Sequence, residues 1–117
     1  MTEDCVFCDI VGGNFGTQFV YEADDIVAFN DLRPIAPVHI LVVPRQHYAS
    51  LDDAAAAADG GALLGRLMRV AASLGETHAS SDGGYRVVVN TGPSAGQTVF
   101  HVHLHVLSGR HFAWPPG

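Results

Sequence analysis

The chain has 117 residues, 48% of them hydrophobic, and a formal net charge of −6. That length is one domain, residues 1–117, and the hydrophobic share is enough for a packed core, which excludes a disordered chain. The acidic balance argues against a nucleic-acid polymer as partner, and no run of about 18 apolar residues is present to cross a membrane.

The N-terminal MTEDCVFC is acidic and lacks the basic-then-apolar layout of a signal peptide. Two cysteines without such a signal suit a cytoplasmic protein better than a disulfide scaffold. CVFCDIVGG reads as one helical turn ended by Gly12 and Gly13. Phe19–Glu22 and Ile26–Phe29 read as a β-hairpin around Ala23, Asp24 and Asp25. Pro34 and Pro37 fix a loop, and His39–Pro44 is a nearly continuous apolar strand of the kind found inside a sheet. From Leu51 to about Ser80 the period becomes helical, with Leu63, Leu64, Leu67, Met68, Ala71 and Leu74 on the covering face and Asp59 as N-cap. SDGG is a turn, Tyr85–Asn90 is a strand, and TGPSAGQ is a glycine-rich loop. The prolines of the tail GRHFAWPPG forbid further regular structure. The sum is an α+β domain, an antiparallel sheet with one main helix across a face.

The loop runs into FHVHLHVL, Phe100–Leu107. Strict alternation predicts a strand that sends Val102, Leu104 and Val106 to one face and His101, His103 and His105 to the other. Three imidazoles in register admit three readings: a solvated sheet face, a metal site, or acid–base and nucleophilic catalysis near neutral pH. Asn90, Gly92, Gly96, Gln97 and Thr98 favour the last. Glycines let backbone N–H groups approach an anion, and Gln and Thr add donors, as a phosphate ester would require.

His101-Val-His103-Leu-His105-Val-Leu, together with FND, ILVVP, AGQTVFHVHLHVLSGR and the terminal WPPG, resembles the histidine triad (HIT) superfamily, and within it the Hint branch of nucleoside phosphoramidate hydrolases. The resemblance implies an antiparallel five-stranded sheet with one main helix, paired across a homodimer. It implies that His103 attacks the α-phosphate of a purine nucleoside phosphoramidate to form a nucleotidyl-histidine, which water releases as the monophosphate. It gives His105 to the phosphate oxygens, makes His39 and His101 members of the catalytic cluster, and assigns Asn90, Gly96, Gln97 and Thr98 to the phosphate and leaving group. Thr98 stands where the better-known Hint proteins carry serine, which keeps the hydroxyl and adds a methyl. The resemblance also puts Asp31 on the ribose hydroxyls and lines the base with Val6, Phe7, Ile10, Phe29 and Leu32. Read without it, Asp31 is a turn residue, His39 a strand-end histidine, and the apolar residues core. The other functions in view are a dinucleoside polyphosphate hydrolase and a nucleotide-binding module with incidental activity.

Cys5-Val-Phe-Cys8 has zinc-ligand spacing, with His47 and His101 as the candidates to complete a tetrahedral site. Some members of the superfamily hold a structural zinc in this way and others do not. The other reading is two free thiols packed as small apolar groups. The chemistry itself needs no cofactor. Trp114, alone in a proline-bound tail, is expected to anchor against a second copy of the chain.

Overall fold

The run VHILVVP forms the middle strand of a five-stranded sheet, buried from His39 to Pro44. The computed structural model describes residues 5–79 and 83–117. The elements are α1 (Val6–Val11), β1 (Tyr21–Glu22), β2 (Ile26–Asn30), β3 (Val38–Pro44), α2 (Leu51–Ala56), α3 (Gly60–His78), β4 (Arg86–Val88), a 3-10 turn at Pro93–Ala95, and β5 (Leu104–Ser108). The strands lie in the order β1-β2-β3-β5-β4, every neighbouring pair antiparallel. Among the described residues no helix is long and apolar enough to cross a membrane.

Both faces of the sheet are covered, which is why β3 is apolar throughout rather than alternating. One face packs Ile26, Ala28, Ile40, Val42, Leu104 and Val106 against Leu63, Leu67, Val70, Ala71 and Leu74 of α3. Each fully buried aliphatic side chain of this kind contributes about 1.5–3 kcal/mol. The other face carries Val27, Phe29, Leu41 and Val43, with Phe7 of α1 on top. The register places Leu41 opposite both Phe29 and His105, and His105 also opposite Val88. Directly paired residues share a face. The imidazole of His105 is therefore on the α1 side, beside Phe29 and Leu41.

The expected elements are present with shifted limits. The hairpin is shorter on its first side, where only Tyr21 and Glu22 pair. The helical stretch from Leu51 is two helices. Ala57 is extended, and Gly60 seats so closely on the end of α2 that a Cβ there would lie 2.1 Å from the Ala54 carbonyl oxygen. Asp59 does stand at the N-cap of α3, but its side chain makes no capping hydrogen bond. Met68 is 54% exposed, and Val70 fills the covering stripe in its place. The expected helix end at Ser80 and the first half of the SDGG turn lie outside the described residues. The ladder of the histidine strand begins only at Leu104, because β3 pairs with β5 from Val42↔Leu104 onward and β4 ends at Val88↔His105. His101–His103 approach the sheet without ladder pairing, and Val102 N–H instead donates to the Tyr48 carbonyl at 2.7 Å.

Candidate functional site

Five of the seven histidines gather on the α1 side of the sheet, in two groups. The first is His39, His103 and His105. Ile35 donates its backbone N–H to His39 Nδ1 at 3.1 Å. That nitrogen must then hold the lone pair, so in the neutral ring the proton is on Nε2. His39 Nε2 lies 2.9 Å from His105 Nδ1 and 3.4 Å from Asp31 Oδ2. The N–H therefore donates to His105, with the Asp31 carboxylate alongside, and His105 keeps its own proton on Nε2. His103 Nδ1 is 2.7 Å from the His101 carbonyl oxygen. A carbonyl only accepts, so Nδ1 carries the proton and His103 Nε2 is an unprotonated base. The rings of His103 and His105 are 4.9 Å apart between centroids. One free nitrogen lone pair and one N–H donor thus stand side by side.

Burial favours the neutral form of all three rings. It is the main cause lowering His103, against the His101 carbonyl. It likewise holds His39 below its ordinary value, against the pull of Asp31. His105 is pushed down to about 4, by burial first and then by His103 and His39. Asp31, His39 and His105 also lie close enough together to suggest a metal site. The tautomers argue against it. His39 Nδ1 already accepts a hydrogen bond, so a metal on Nε2 would require loss of both ring protons.

Beside this group is a cavity of about 500 Å³ lined by Val6, Phe7, Ile10, Phe29, Leu41 and Val99, with Asp31, Arg33 and Thr98 at its polar side. An apolar cavity of this size with a few convergent polar groups fits one small organic ligand. Phe7 packs edge-on to Phe29, with centroids 5.6 Å apart, and to His103 at 4.9 Å. Phe7 thus touches both the cavity and the His103 ring.

The second group is Cys5, Cys8, His47 and His101. His101 Nε2–H donates to the Pro44 carbonyl at 2.8 Å, so its lone pair is on Nδ1. Three groups converge on that single lone pair: Cys5 Sγ at 3.3 Å, Cys8 Sγ at 3.4 Å and His47 Nδ1 at 3.2 Å. Cys8 Sγ is also 3.3 Å from His47 Nδ1. One lone pair cannot satisfy three neighbours, but a cation at the centre satisfies all four. A tetrahedral zinc has edges of about 3.3 Å between nitrogens and about 3.6 Å between nitrogen and sulfur. The observed spacings come within a few tenths of an ångström of these. Burial pushes His101 down to about 4, which leaves it in the neutral form that binds metals.

The sequence profile of the HIT domain matches residues 13–112. The chain belongs to the HIT family. It is 46% identical over 117 residues to an uncharacterized HIT-like protein of Synechococcus elongatus, covering 100% of both chains. It is 36% identical over 110 residues to the purine nucleoside phosphoramidase of Escherichia coli, covering 94% of this chain and 91% of that one. Among solved structures, a HIT family hydrolase from Legionella pneumophila superposes with a TM-score of 0.89 at 41% identity, covering 97% of this chain and 99% of that one. A histidine triad protein from Clostridium difficile superposes with a TM-score of 0.86 at 38% identity, covering 97% and 96%. The antiparallel five-stranded sheet with its main helix is the fold of these HIT neighbours.

The residues expected to form a HIT site are only partly gathered. His39, His103, His105 and Asp31 form one group, and Phe7, Ile10, Phe29, Leu32 and Thr98 line the cavity. His101 belongs to the cysteine group, touching the first group through its carbonyl. Gln97 differs from expectation. It is buried, its amide N–H groups donate to the Ala49 and Val99 carbonyls, and its Oε1 accepts from Gly92 N–H. Both donors are engaged in shaping the loop. Asn90 and Gly96 face each other across that loop, Asn90 Nδ2 lying 3.9 Å from where a Gly96 Cβ would be, and neither lines the cavity. Leu41, Arg33 and Val99 were not singled out from the sequence. Leu41 could have been, since it sits two residues after His39 on the same face of an apolar strand. Arg33 and Val99 are on loops whose course no periodicity reports.

Proposed function

We propose that this HIT protein hydrolyses purine nucleoside 5′-phosphoramidates. The single observation that carries the reading is His103, its Nε2 left unprotonated by the His101 carbonyl, packed on Phe7 of the wall of an apolar cavity that Asp31 also lines. His103 Nε2 attacks phosphorus, the P–N bond breaks, and the amine leaves with a proton taken from water. Water then cleaves the nucleotidyl-histidine to the nucleoside monophosphate and restores His103. His105 Nε2–H donates to a phosphate oxygen as charge grows there. His39 holds His105 in that tautomer. Asp31 accepts from the ribose hydroxyls, and Phe7, Ile10, Phe29 and Leu32 enclose the base. Thr98 donates to the phosphate or leaving group, and Asn90, Gly96 and Gln97 act by shaping the loop behind it. The relative named a purine nucleoside phosphoramidase supports the choice of substrate.

Cys5, Cys8, His47 and His101 would hold one zinc ion, whose role is structural: it ties the N-terminal turn to the sheet. The chain works as one HIT domain and as a homodimer in the cytoplasm. Incubating the purified protein with adenosine 5′-phosphoramidate and, separately, with diadenosine polyphosphates tests the activity. Release of AMP from the phosphoramidate, lost in His103→Ala, is the expected result. Preferential cleavage of the polyphosphates would replace this function with another, and tight AMP binding without turnover of either would leave a binding module.

A further inference from the structure

α1 is the element shared by the cavity and the cysteine–histidine group. It has six residues, far short of the dozen or so that let a helix hold itself in water. Cys5 caps it, its sulfur accepting from Cys8 N–H at 3.2 Å, and Cys8 lies one turn on. Phe7 stands between these two cysteines in the chain, with its ring 4.9 Å from His103 and 6.1 Å from His101. Val6, Phe7 and Ile10 make one wall of the cavity. Apart from apolar packing and the turn bonds that Gly13 and Asn14 make to Ile10 and Asp9 directly after it, what fastens α1 to the rest of the described chain is the cysteine–histidine group and one long contact, Arg45 Nη1 to the Val11 carbonyl at 3.4 Å. None of the four candidate metal ligands lines the cavity, so a metal there would not touch a nucleotide. The segment matched by the HIT profile begins after α1, at residue 13.

We infer that metal bound by Cys5, Cys8, His47 and His101 positions Phe7 against His103, so that metal and nucleotide bind cooperatively through α1. The inference rests on the zinc and nucleotide readings given above. A nucleotide that uses the α1 wall must find α1 in place, and fixing a short helix costs backbone entropy. Whichever ligand binds first meets that cost, and the second does not. Phe7 is then a positioning residue: it orders the nucleophile and the base wall, and the metal orders it. By linkage, the factor by which zinc tightens the nucleotide equals the factor by which the nucleotide tightens zinc.

Zinc affinity is measured by chelator competition with and without saturating AMP, in the wild type and in Phe7→Ala, alongside calorimetric titration of AMP into the zinc-loaded chain. The expected result is zinc bound at least about fivefold more tightly with AMP in the wild type, and a factor near one in Phe7→Ala. A wild-type factor near one overturns the linkage while the nucleotide and zinc readings stand. A factor that persists in Phe7→Ala shows that coupling runs elsewhere and overturns the role of Phe7. A zinc-loaded chain that binds no AMP removes the nucleotide reading, a chain that takes up no zinc removes the metal reading, and either removes this inference with it.

Discussion

Ile35 N–H donates to His39 Nδ1 and the His101 carbonyl accepts from His103 Nδ1, so the main chain assigns each ring its tautomer. In the proposed mechanism His39 and His103 take different roles for that reason. Replacing His103 with alanine removes the proposed nucleophile, and turnover of adenosine 5′-phosphoramidate should fall by at least about 10³-fold while AMP still binds. Replacing His39 with alanine leaves both rings of the His103–His105 pair but frees His105 to move its proton. The expected loss is about 10²-fold in kcat with KM little changed, read by steady-state kinetics. If His39→Ala were as inactive as His103→Ala with its fold intact, His39 would have to touch the reacting atoms. The same burial makes stability depend on pH. An unfolded imidazole titrates near about 6.5. Folded His105 titrates at about 4, and His39 is lowered too, in both cases mainly by burial. Between those values the unfolded chain binds protons that the folded chain does not. Stability present above the unfolded value is therefore lost as the pH falls through this window. Urea midpoints should drop between about pH 7 and about pH 5, and drop less in His105→Asn. Equal drops in the two chains would clear His105 of any part in it.

At the scale of elements, two glycines of α3 show how differently one residue type serves. Gly75 is buried under Tyr85, whose ring would lie 2.4 Å from a Cβ at that position. Gly65 has nothing within 4 Å of the same point and faces solvent. Gly75→Ala should therefore cost about 1–3 kcal/mol through forced displacement of Tyr85. Gly65→Ala should gain about 0.5–1 kcal/mol from helix propensity. Thermal denaturation of both variants checks the opposite signs. Neither sign was legible in the sequence, because both glycines sit mid-helix and only the Tyr85 contact separates them. What periodicity did reveal was the side of each element: Leu63, Leu67, Ala71 and Leu74 do cover the sheet, and the alternation in HVHLHV does send His103 and His105 away from Leu104 and Val106. It failed where packing overrides pattern. The break between α2 and α3 depends on a backbone contact at Gly60, and Gln97 is a loop brace because the Ala49 carbonyl, far off in sequence, lies within 2.7 Å of its amide. The alternation grouped the three histidines and the CxxC spacing offered His101 as a metal ligand, but neither fixed which way the His101 ring is turned. The Pro44 carbonyl does so, by turning the His101 lone pair toward the cysteines.

The whole molecule leaves large apolar side chains uncovered. Leu32 is 95% exposed beside the cavity, and Trp114 is 83% exposed in the tail. β4 pairs with β5 on one side, and among the described residues no strand pairs with its other edge. Part of the tail folds onto its own chain. Arg86 donates to the Ala113 carbonyl at 2.9 Å, and the guanidiniums of Arg86 and Arg110 lie 5.3 Å and 4.3 Å from the centre of the Phe112 ring. Yet the chain that fastens the tail as far as Ala113 gives Trp114 no pocket. A large aromatic residue presented on an anchored segment next to that strand edge fits burial against a second copy, where an exposed edge would also be protected. Sedimentation velocity should show a dimer at micromolar concentration. Deleting Ala113–Gly117 should change the preference among leaving groups while leaving AMP affinity nearly intact, because the proposed base and ribose contacts are assigned to α1, β2 and the loop after β2. A chain that sediments as a monomer, or a truncation with unchanged leaving-group selectivity, would separate Trp114 from the site and return the tail to a purely local role.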